Sequence, residues 1–409
     1  MNIKFYLLLT AFAILSLSKT TGQGCVAVRQ MGGLNLSSAD SYNLLKGNFQ
    51  VGANFRYFHS WRHFVGTEEQ PQRQITGGGH DANGNDRGNA VNIYSHALDV
   101  NFSYGISNRL QLNATIPYVK NERSQVLRQT TPVDTFRYSV FASGIGDMRV
   151  GLNYWIFEPE TATGGNLMVG LGLKLPTGKF DATDNQVPQS DGTKKDFVVM
   201  DQAIQPGDGG LGISVELQAF RQLFTNFYGF ANGYYMFNPR ESNGAYKSAP
   251  TVVKNPIDNS VLGTLTGYNI YASPDQYFVR AGLMTNVFRR LTVSLAGRWE
   301  GIPANDAFGG QVAYRRPGYV VSIEPGLALR VGPHSFSLFV PQNIVRNRIQ
   351  SAADIASEDL QNSVITDPAQ KVHVQGDAAF ADYSISFGYA YRFGAHKMHL
   401  AFSDVEEKK

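Results

Sequence analysis

Residues 383–393 read Tyr-Ser-Ile-Ser-Phe-Gly-Tyr-Ala-Tyr-Arg-Phe, with a large apolar residue at every second position. Successive side chains of a β-strand point to opposite faces of the sheet, so this segment carries one apolar face and one face of small or polar residues. The charged residues Asp382 and Arg392 both fall on the second face. The pattern predicts a strand with one face in an apolar environment.

Segments of the same kind recur from residue 49 to residue 393, about twelve in all. Most contain about ten residues, the length that a tilted strand needs to cross the hydrocarbon core of a bilayer. Segment 224–237 is apolar on both registers, so its facing stays open. The apolar registers of the other segments begin with Phe49, Leu98, Leu110, Met148, Leu167, Leu211, Tyr277, Leu291, Tyr319, Phe336 and Tyr383.

The connections between these segments alternate between short and long. The short ones are residues 107–109, 157–165, 221–223, 288–290 and 332–335. The long ones are residues 59–91, 119–143, 176–208, 238–274, 301–317 and 341–381. Short periplasmic turns, long extracellular loops and an even strand number are typical of bacterial outer-membrane barrels. We therefore predict an all-β fold, a transmembrane antiparallel up-and-down β-barrel of about 12 strands with both termini periplasmic.

Composition agrees with a barrel. The 409 residues include 42 Gly, 20 Tyr and 26 Phe, and only 17% are charged, against a usual share of about 25%. Lys and Arg exceed Asp and Glu by only 36 − 33 = 3, which gives no reason to expect a nucleic-acid partner. Aromatic residues also favour the strand ends, as in interfacial girdles. Those at the long-loop ends are Tyr57, Tyr118, Tyr277, Trp299 and Tyr319, and those at the short-turn ends are Phe49, Tyr104, Tyr154, Tyr391 and Phe393.

The N-terminus has the features of an export signal. Lys4 precedes an apolar run, and small residues follow up to Gly22, so residues 1–22 are expected to be a signal peptide. A lipoprotein signal ending at Cys25 is the alternative, although Gly22 stands where such signals usually have Leu. We divide the rest into a periplasmic or plug segment 23–47, a barrel 48–394 and a periplasmic tail 395–409. The expected location is the outer membrane of a Gram-negative bacterium.

Three segments resemble one protein family. They are Gly144-Ile145-Gly146-Asp147, then Leu173-Lys174-Leu175-Pro176-Thr177-Gly178, and finally Gln205-Pro206-Gly207-Asp208-Gly209-Gly210. Together they resemble the outer-membrane barrel family named after the meta-pathway of phenol degradation. The resemblance implies a channel for small aromatic or hydrophobic molecules. One departure is that Phe393 is followed by a polar tail, whereas such barrels commonly end on an aromatic residue.

No catalytic, metal or cofactor site is expected. His59 and His63 lie about 13 Å apart on a strand, which is too far to hold one metal ion. Residues 81–86 imitate the start of a calcium loop, but Asp86 replaces the expected glycine and Asn92 the bidentate Glu. Ser95 and His96 are adjacent, so on a strand they point to opposite faces and cannot form a hydrolase pair.

Charged residues of the strands share the inward register, since charges that face lipid are costly. We predict that ten of them line the pore: Arg280, Arg298, Glu300, Glu324, Glu216, Lys174, Arg149, Asp147, Arg330 and Arg392. Arg56, Asp99 and Asp382 share this register. They either brace a narrow lumen as salt bridges or form a charged constriction that selects ions.

The positions of Arg280 and Arg298 bear on the choice between bracing salt bridges and a charged constriction. The short turn 288–290 sets Val287 opposite Leu291, Leu283 opposite Leu295 and Val279 opposite Trp299, which places the two arginines side by side. Two like charges repel each other. Counting from the turns places Glu324 at about the height of Arg298 and Glu300 one step above. We expect an Arg–Glu cluster that braces the wall, with an anion-attracting constriction as the alternative.

Twelve tilted strands give a backbone diameter of roughly 24 Å and a lumen of roughly 10 Å at best. The expected function is therefore an outer-membrane channel or transporter for small solutes, with aromatic or hydrophobic molecules as the candidates that the resemblance implies. The alternative is a non-conducting barrel whose long extracellular loops bind a surface partner. Expected partners are outer-membrane lipid, an unidentified small solute and, during biogenesis, the barrel assembly machinery.

Overall fold

A computed structural model describes residues 44–74, 88–130, 132–162, 164–288 and 290–394. One antiparallel sheet runs through the chain and closes on itself. Its twelve strands are β1 Phe49–Val65, β2 Asn92–Gly105, β3 Leu110–Thr130, β4 Arg149–Trp155, β5 Gly165–Lys174, β6 Gly212–Phe224, β7 Phe227–Phe237, β8 Gln276–Phe288, β9 Leu291–Ile302, β10 Gly318–Val331, β11 in two segments, His334–Phe339 and Gln342–Asn347, and β12 Ala378–Phe393.

The first and last strands close the barrel. β1 pairs with β12 along its length, from Phe49 opposite Phe393 to Phe64 opposite Ala378. Every strand also pairs with its neighbour in sequence. A closed sheet leaves no edge strand with unpaired backbone groups, and this is what the hydrocarbon core of a membrane demands of strands. The predicted up-and-down barrel of twelve strands is confirmed.

The outer surface of the barrel is apolar. Leu98, Leu171 and Leu217 are 41%, 63% and 52% exposed, and their strand neighbours with the opposite facing are buried. A soluble protein would bury such a band in a core, because contiguous exposed apolar patches are rare on soluble proteins. The band is therefore the surface that the barrel presents to lipid, as the alternation predicted.

Aromatic rings meet at both ends of the strands. At the long-loop end the Trp299 ring lies 4.9 Å from that of Tyr277 and 6.3 Å from that of Tyr319. At the short-turn end the Phe393 ring lies 5.9 Å from that of Phe49 and 4.5 Å from that of Tyr391. These contacts fit two interfacial girdles, where amphipathic rings are favoured.

Three details differ from the sequence prediction. β3 continues to Thr130 and pairs there with a strand Val133–Ile145, so the predicted loop 119–143 is a long β-hairpin. β11 resumes beyond Pro341, which cannot donate to a ladder and interrupts the strand. A bulge before the turn sets Phe288 opposite Leu291, so the predicted pairing of Val287 with Leu291 is wrong.

Helices are short and lie in the long loops. They are Pro71–Gln74 and Ala352–Asn362, with 3₁₀ turns at Gln202–Ile204 and Pro368–Gln370. None of the helices in the described residues is long and apolar enough to span a bilayer. The loops also contain short strands: Glu68–Glu69, Thr183–Asp184, Val187–Pro188, Lys194–Lys195, Val198–Val199, Ser242–Tyr246, Thr251–Lys254, Val261–Leu265 and Ile270–Ala272.

The expected signal peptide 1–22, Cys25 and the tail 395–409 lie outside the described residues, as do most of the segment 23–47 and the loop 75–87. Of the N-terminal segment the structure describes residues 44–47, at the short-turn end. Leu44 is buried, and the Gly47 amide donates to the Gly105 carbonyl over 2.8 Å. The start of the barrel is therefore anchored beside the turn between β2 and β3.

Candidate pore and its cap

An Arg–Glu cluster fills the middle of the lumen. The predicted pairing of Arg280 with Arg298 across β8 and β9 is confirmed. Glu324 bridges them, with its two oxygens 2.6 Å from Arg280 Nη1 and 2.9 Å from Arg298 Nη1. Arg298 also forms a fork with Glu300, over 3.1 and 2.9 Å. Two positive and two negative charges therefore neutralise each other within the cluster.

The position of Glu324 differs from the sequence prediction. It pairs with Ala296 rather than lying level with Arg298, whose partner on β10 is Ser322. From this lower position its carboxylate reaches both guanidinium groups. All four side chains of the cluster are at most 3% exposed. A buried ion pair needs such complete pairing, because desolvation of each charge is costly.

An apolar wall inside the lumen was not predicted. It runs along β4, β5 and β7–β9, and the Phe278 and Phe230 rings pack under Arg298 and Arg280 at 4.7 and 5.3 Å. The wall consists of Trp155, Met168, Tyr228, Phe230, Tyr234, Met236, Phe278, Met284 and Ala296. The only sequence signal was the seventh segment, which is apolar on both registers. Its even-numbered residues face inward.

The three family-like segments meet at one junction beside the long-loop end. Lys174 Nζ bonds to Asp208 and lies 3.8 Å from Asp147. The Asp147 carboxylate accepts from the amides of Gly178 and Asp208, both over 2.9 Å. Thr177 Oγ1 donates to the Gly146 carbonyl over 2.9 Å. The motifs thus fasten the loop after β5 to the starts of β4 and β6.

Two glycines of these motifs are required by close packing. A Cβ on Gly178 would lie 2.8 Å from Gly207 Cα, and a Cβ on Gly207 would lie 2.6 Å from Asp147 Oδ1. Both distances are shorter than a side chain tolerates. This contact could not be predicted from the sequence, since Gly178, Gly207 and Asp147 are far apart along the chain.

Residues 175–211, which we call the cap, cover the long-loop mouth. Arg316 holds Asp201 with two bonds of 2.7 Å, and we call this pair the clamp. Asn121 on β3 donates to the Ile204 carbonyl over 2.9 Å, and Gln202 to the Ala272 carbonyl over 2.6 Å. Burial alone would raise the pKa of the Asp201 carboxyl, but the Arg316 guanidinium outweighs burial and holds that pKa well below its usual range.

A small space, which we call the inner cavity, lies under the cap. Its volume is about 60 Å³, and its lining includes Arg56, Arg149, Lys174, Gln205 and Met236. That volume holds a few water molecules and no organic solute, because one water occupies about 30 Å³ of liquid. The cap therefore narrows the mouth in this conformation.

The remaining predicted pore residues are spread along the lumen. Arg149 lies over the Tyr234 ring at 5.3 Å, with Glu216 as an electrostatic neighbour. Arg330 and Arg392 lie on the inward register near the short-turn end, opposite Ser335 and Gln50. The structure thus brings Asp147 to Lys174, and Arg280 to Arg298, Glu300 and Glu324. That the ten residues line a pore stays a prediction.

The residues considered above for a metal site and for a hydrolase pair make other contacts. His59 bonds to Asn92, while His63 faces Asp377, so the two do not share a ligand. Ser95 is buried and donates to Asn121, whereas His96 packs outside against the Tyr57 ring. Among the described residues no group of three His, Cys, Asp or Glu could hold a metal ion. The calcium-like loop lies in the part that the structure does not describe.

The fold matches a solved outer-membrane channel. An outer membrane channel from Pseudomonas putida F1 has a TM-score of 0.53 at 8% identity, covering 89% of this chain and 100% of that chain. A FadL homologue from Pseudomonas aeruginosa gives 0.37 at 9% identity, covering 92% and 96%. The toluene transporter TodX from P. putida gives 0.39 at 10%, covering 86% and 92%. The first similarity shows a shared fold, and the other two, below 0.5, carry no weight here.

No protein-family model matches the chain. No curated protein matches it either.

Proposed function

We propose that this protein is an outer-membrane channel for small solutes that carry an apolar or aromatic body. The observation that carries the proposal is the combination of an apolar wall inside a closed barrel with a cap over the mouth. The cap is held by polar contacts and by an apolar cluster that Met200 and Ile204 share with Ile93 and Val140. A barrel that only presents its loops has no need of a cap over an apolar lumen. The fold likeness to a solved outer-membrane channel supports the proposal.

The narrower assignment, to the family named after the meta-pathway of phenol degradation, remains part of this proposal. It is supported by the junction of Asp147, Lys174 and Asp208, in which the three resembling segments contact each other. Members of that family are usually described as transporters, which agrees with the proposed channel.

The direct test of transport is conductance in planar bilayers together with solute flux into vesicles. The proposal expects discrete conductance steps and faster uptake of benzyl alcohol than of glucose. A folded barrel that shows neither would contradict it.

The orientation is a second part of the proposal, in which the cap faces outward and both ends of the barrel face the periplasm. Asn259 lies in a long loop and Asn108 in the short turn between β2 and β3. A tag at Asn259 should be reachable on intact cells, whereas a tag at Asn108 should not. Labelling in the reverse sense would overturn the orientation and leave the barrel intact.

The alternative is a non-conducting barrel that binds a surface partner with its loops. The small inner cavity favours it, because a space of this size has no room for an organic solute. The two candidates differ in what release of the cap does. A channel gains conductance when the clamp is removed, whereas a non-conducting barrel only loses loop structure.

A further inference from the structure

A second, larger space opens at the long-loop end, and we call it the outer cleft. Its volume is about 320 Å³, and it lies between the ends of β1 and β3, the start of β2 and the segment before β12. This volume is within the range of ligand pockets, about 300–1,000 Å³. The outer cleft is separate from the Arg–Glu cluster and from the motif junction.

The charges of the outer cleft are not matched. Its described lining contains Arg73, Arg123 and Arg316 but only one carboxylate, that of Asp377. Arg73 lies 3.1 Å from Asp377, and Arg316 holds Asp201 in the clamp. Within the described part of the chain no carboxylate forms an ion pair with Arg123; its bond goes to the neutral Gln125, and Asp201 is an electrostatic neighbour that is already paired with Arg316. The cleft therefore retains positive charge that a ligand can neutralise.

His63 adds a buried polar atom without a partner. Its Nδ1 lies 2.6 Å from Asp377 Oδ2, and the residue is only 6% exposed. Its Nε2 is buried and meets no hydrogen-bond partner among the described residues. Buried ring nitrogens are normally satisfied. When the ring is an imidazolium, Nε2–H can donate to a ligand in the cleft.

The rest of the cleft is apolar and leads toward the lumen. Val91, Ile93, Ala378 and Ala379 contribute to its lining. Ile93 and Arg316 also line the inner cavity, so the two spaces adjoin at these residues. Arg316 belongs to the clamp, so a ligand in the cleft would lie beside the clamp.

We propose that the outer cleft binds a small organic acid, with its carboxylate between Arg123 and His63 Nε2–H and its apolar body against Val91 and Ile93. Arginine and imidazolium form charge-assisted hydrogen bonds with a carboxylate, and apolar side chains accept the remainder of the molecule. If the channel function is correct, this is the loading site for the solute. The binding site itself does not depend on transport.

The test is a titration of the full-length barrel in detergent with benzoate, its neutral analogue benzamide, and inorganic phosphate. Benzoate should bind at least about tenfold more tightly than benzamide, and Arg123→Gln should lose about that factor. Arg128→Gln is the matched control, because Arg128 is exposed on the opposite face of the same strand. Heat-modifiable gel mobility shows whether each variant folds. If Arg123→Gln does not fold, His63→Gln replaces it as the variant that should bind benzoate more weakly.

Equal binding of benzoate and benzamide would overturn the proposal, as would tighter binding of phosphate or loss of affinity in Arg128→Gln. Flux of benzoate into vesicles separates this inference from the proposed function. Saturable binding without flux would support the site and contradict the channel. Flux without saturable binding would support the channel and overturn the site.

Discussion

The Arg–Glu cluster and the outer cleft both bring basic side chains into the barrel, but they differ in how their charges are matched. In the cluster, Arg280 and Arg298 face Glu300 and Glu324, and all four are almost fully buried. In the cleft, Arg73 and His63 share Asp377, Arg316 is paired with Asp201, and Arg123 forms no ion pair with a described carboxylate. Basic residues on an inward register therefore do not by themselves indicate a selectivity site.

The difference follows from electrostatics. A buried charge is tolerated when opposite charges and hydrogen bonds compensate its desolvation, and a neutral cluster has little field beyond itself. This fits the bracing role expected for the cluster. An unmatched group beside water keeps its field and attracts counter-ions. We therefore place anion attraction in the outer cleft rather than at Arg280 and Arg298.

The largest expected effect is on the cluster. Glu324→Ala removes the carboxylate that joins Arg280 to Arg298 and leaves two buried arginines opposite one Glu300. Breaking a buried pair typically costs about 3–5 kcal/mol, so the barrel should lose most of its stability to urea unfolding in lipid vesicles.

The control for this variant is Glu122→Gln, on the long hairpin, where the carboxylate accepts one bond from Ser139 over 2.7 Å. Its effect should stay below about 1 kcal/mol. Replacing Arg280, Arg298 and Glu324 together by apolar residues of similar size should restore much of the loss. Full stability of Glu324→Ala would show that the cluster does not brace the wall.

The second effect is on ion selectivity. Replacing Arg280 and Arg298 alone by Gln would leave two unmatched carboxylates, so the cleaner variant changes all four cluster residues to Gln. Its reversal potential in a salt gradient should match that of the wild type. Arg123→Gln should lower anion preference, because it removes the unpaired charge of the cleft. A changed reversal potential in the four-residue variant, together with an unchanged one in Arg123→Gln, would place anion selectivity in the cluster.

A smaller effect concerns pH. In the folded protein the pKa of the Asp201 carboxyl is held below its usual range. The clamp therefore stabilises the folded state fully at any pH above the pKa of Asp in the unfolded chain, about 3.9. That contribution is lost only as pH falls through the lower folded pKa. As far as the clamp alone holds the cap, conductance should stay constant from about pH 8 to about pH 4 and rise in stronger acid. A rise that begins near neutral pH would show that another group controls the cap.

The barrel was predictable because its determinants are local. Alternation along each strand fixes which side chains meet lipid, and a short turn fixes the register of the next strand. Arg280 opposite Arg298 followed from one such turn. The register failed where a bulge before Leu291 added a residue, and the facing of β7 could not be read because both of its registers are apolar.

The cap and the outer cleft were not predictable, because they depend on contacts between distant loops. Asp201 meets Arg316, and His63 meets Asp377, across separations of 115 and 314 residues. Loop residues have no periodic pattern from which their partners could be inferred. The motif glycines indicated where the junction lies. That they are needed for close packing follows only from the contact between Gly178 and Gly207 in the structure.

The most direct test of the central claim, a solute channel closed by its cap, is the bilayer conductance of Asp201→Asn beside the wild type. Asn cannot form the charged fork to Arg316, so we predict a small conductance in the wild type and a severalfold larger one in the variant. Asp191→Asn is the control, because Asp191 lies exposed in the same loop and its side chain bonds, within the described part of the chain, to Thr193 alone. Equal conductance in the folded wild type and Asp201→Asn would contradict the account.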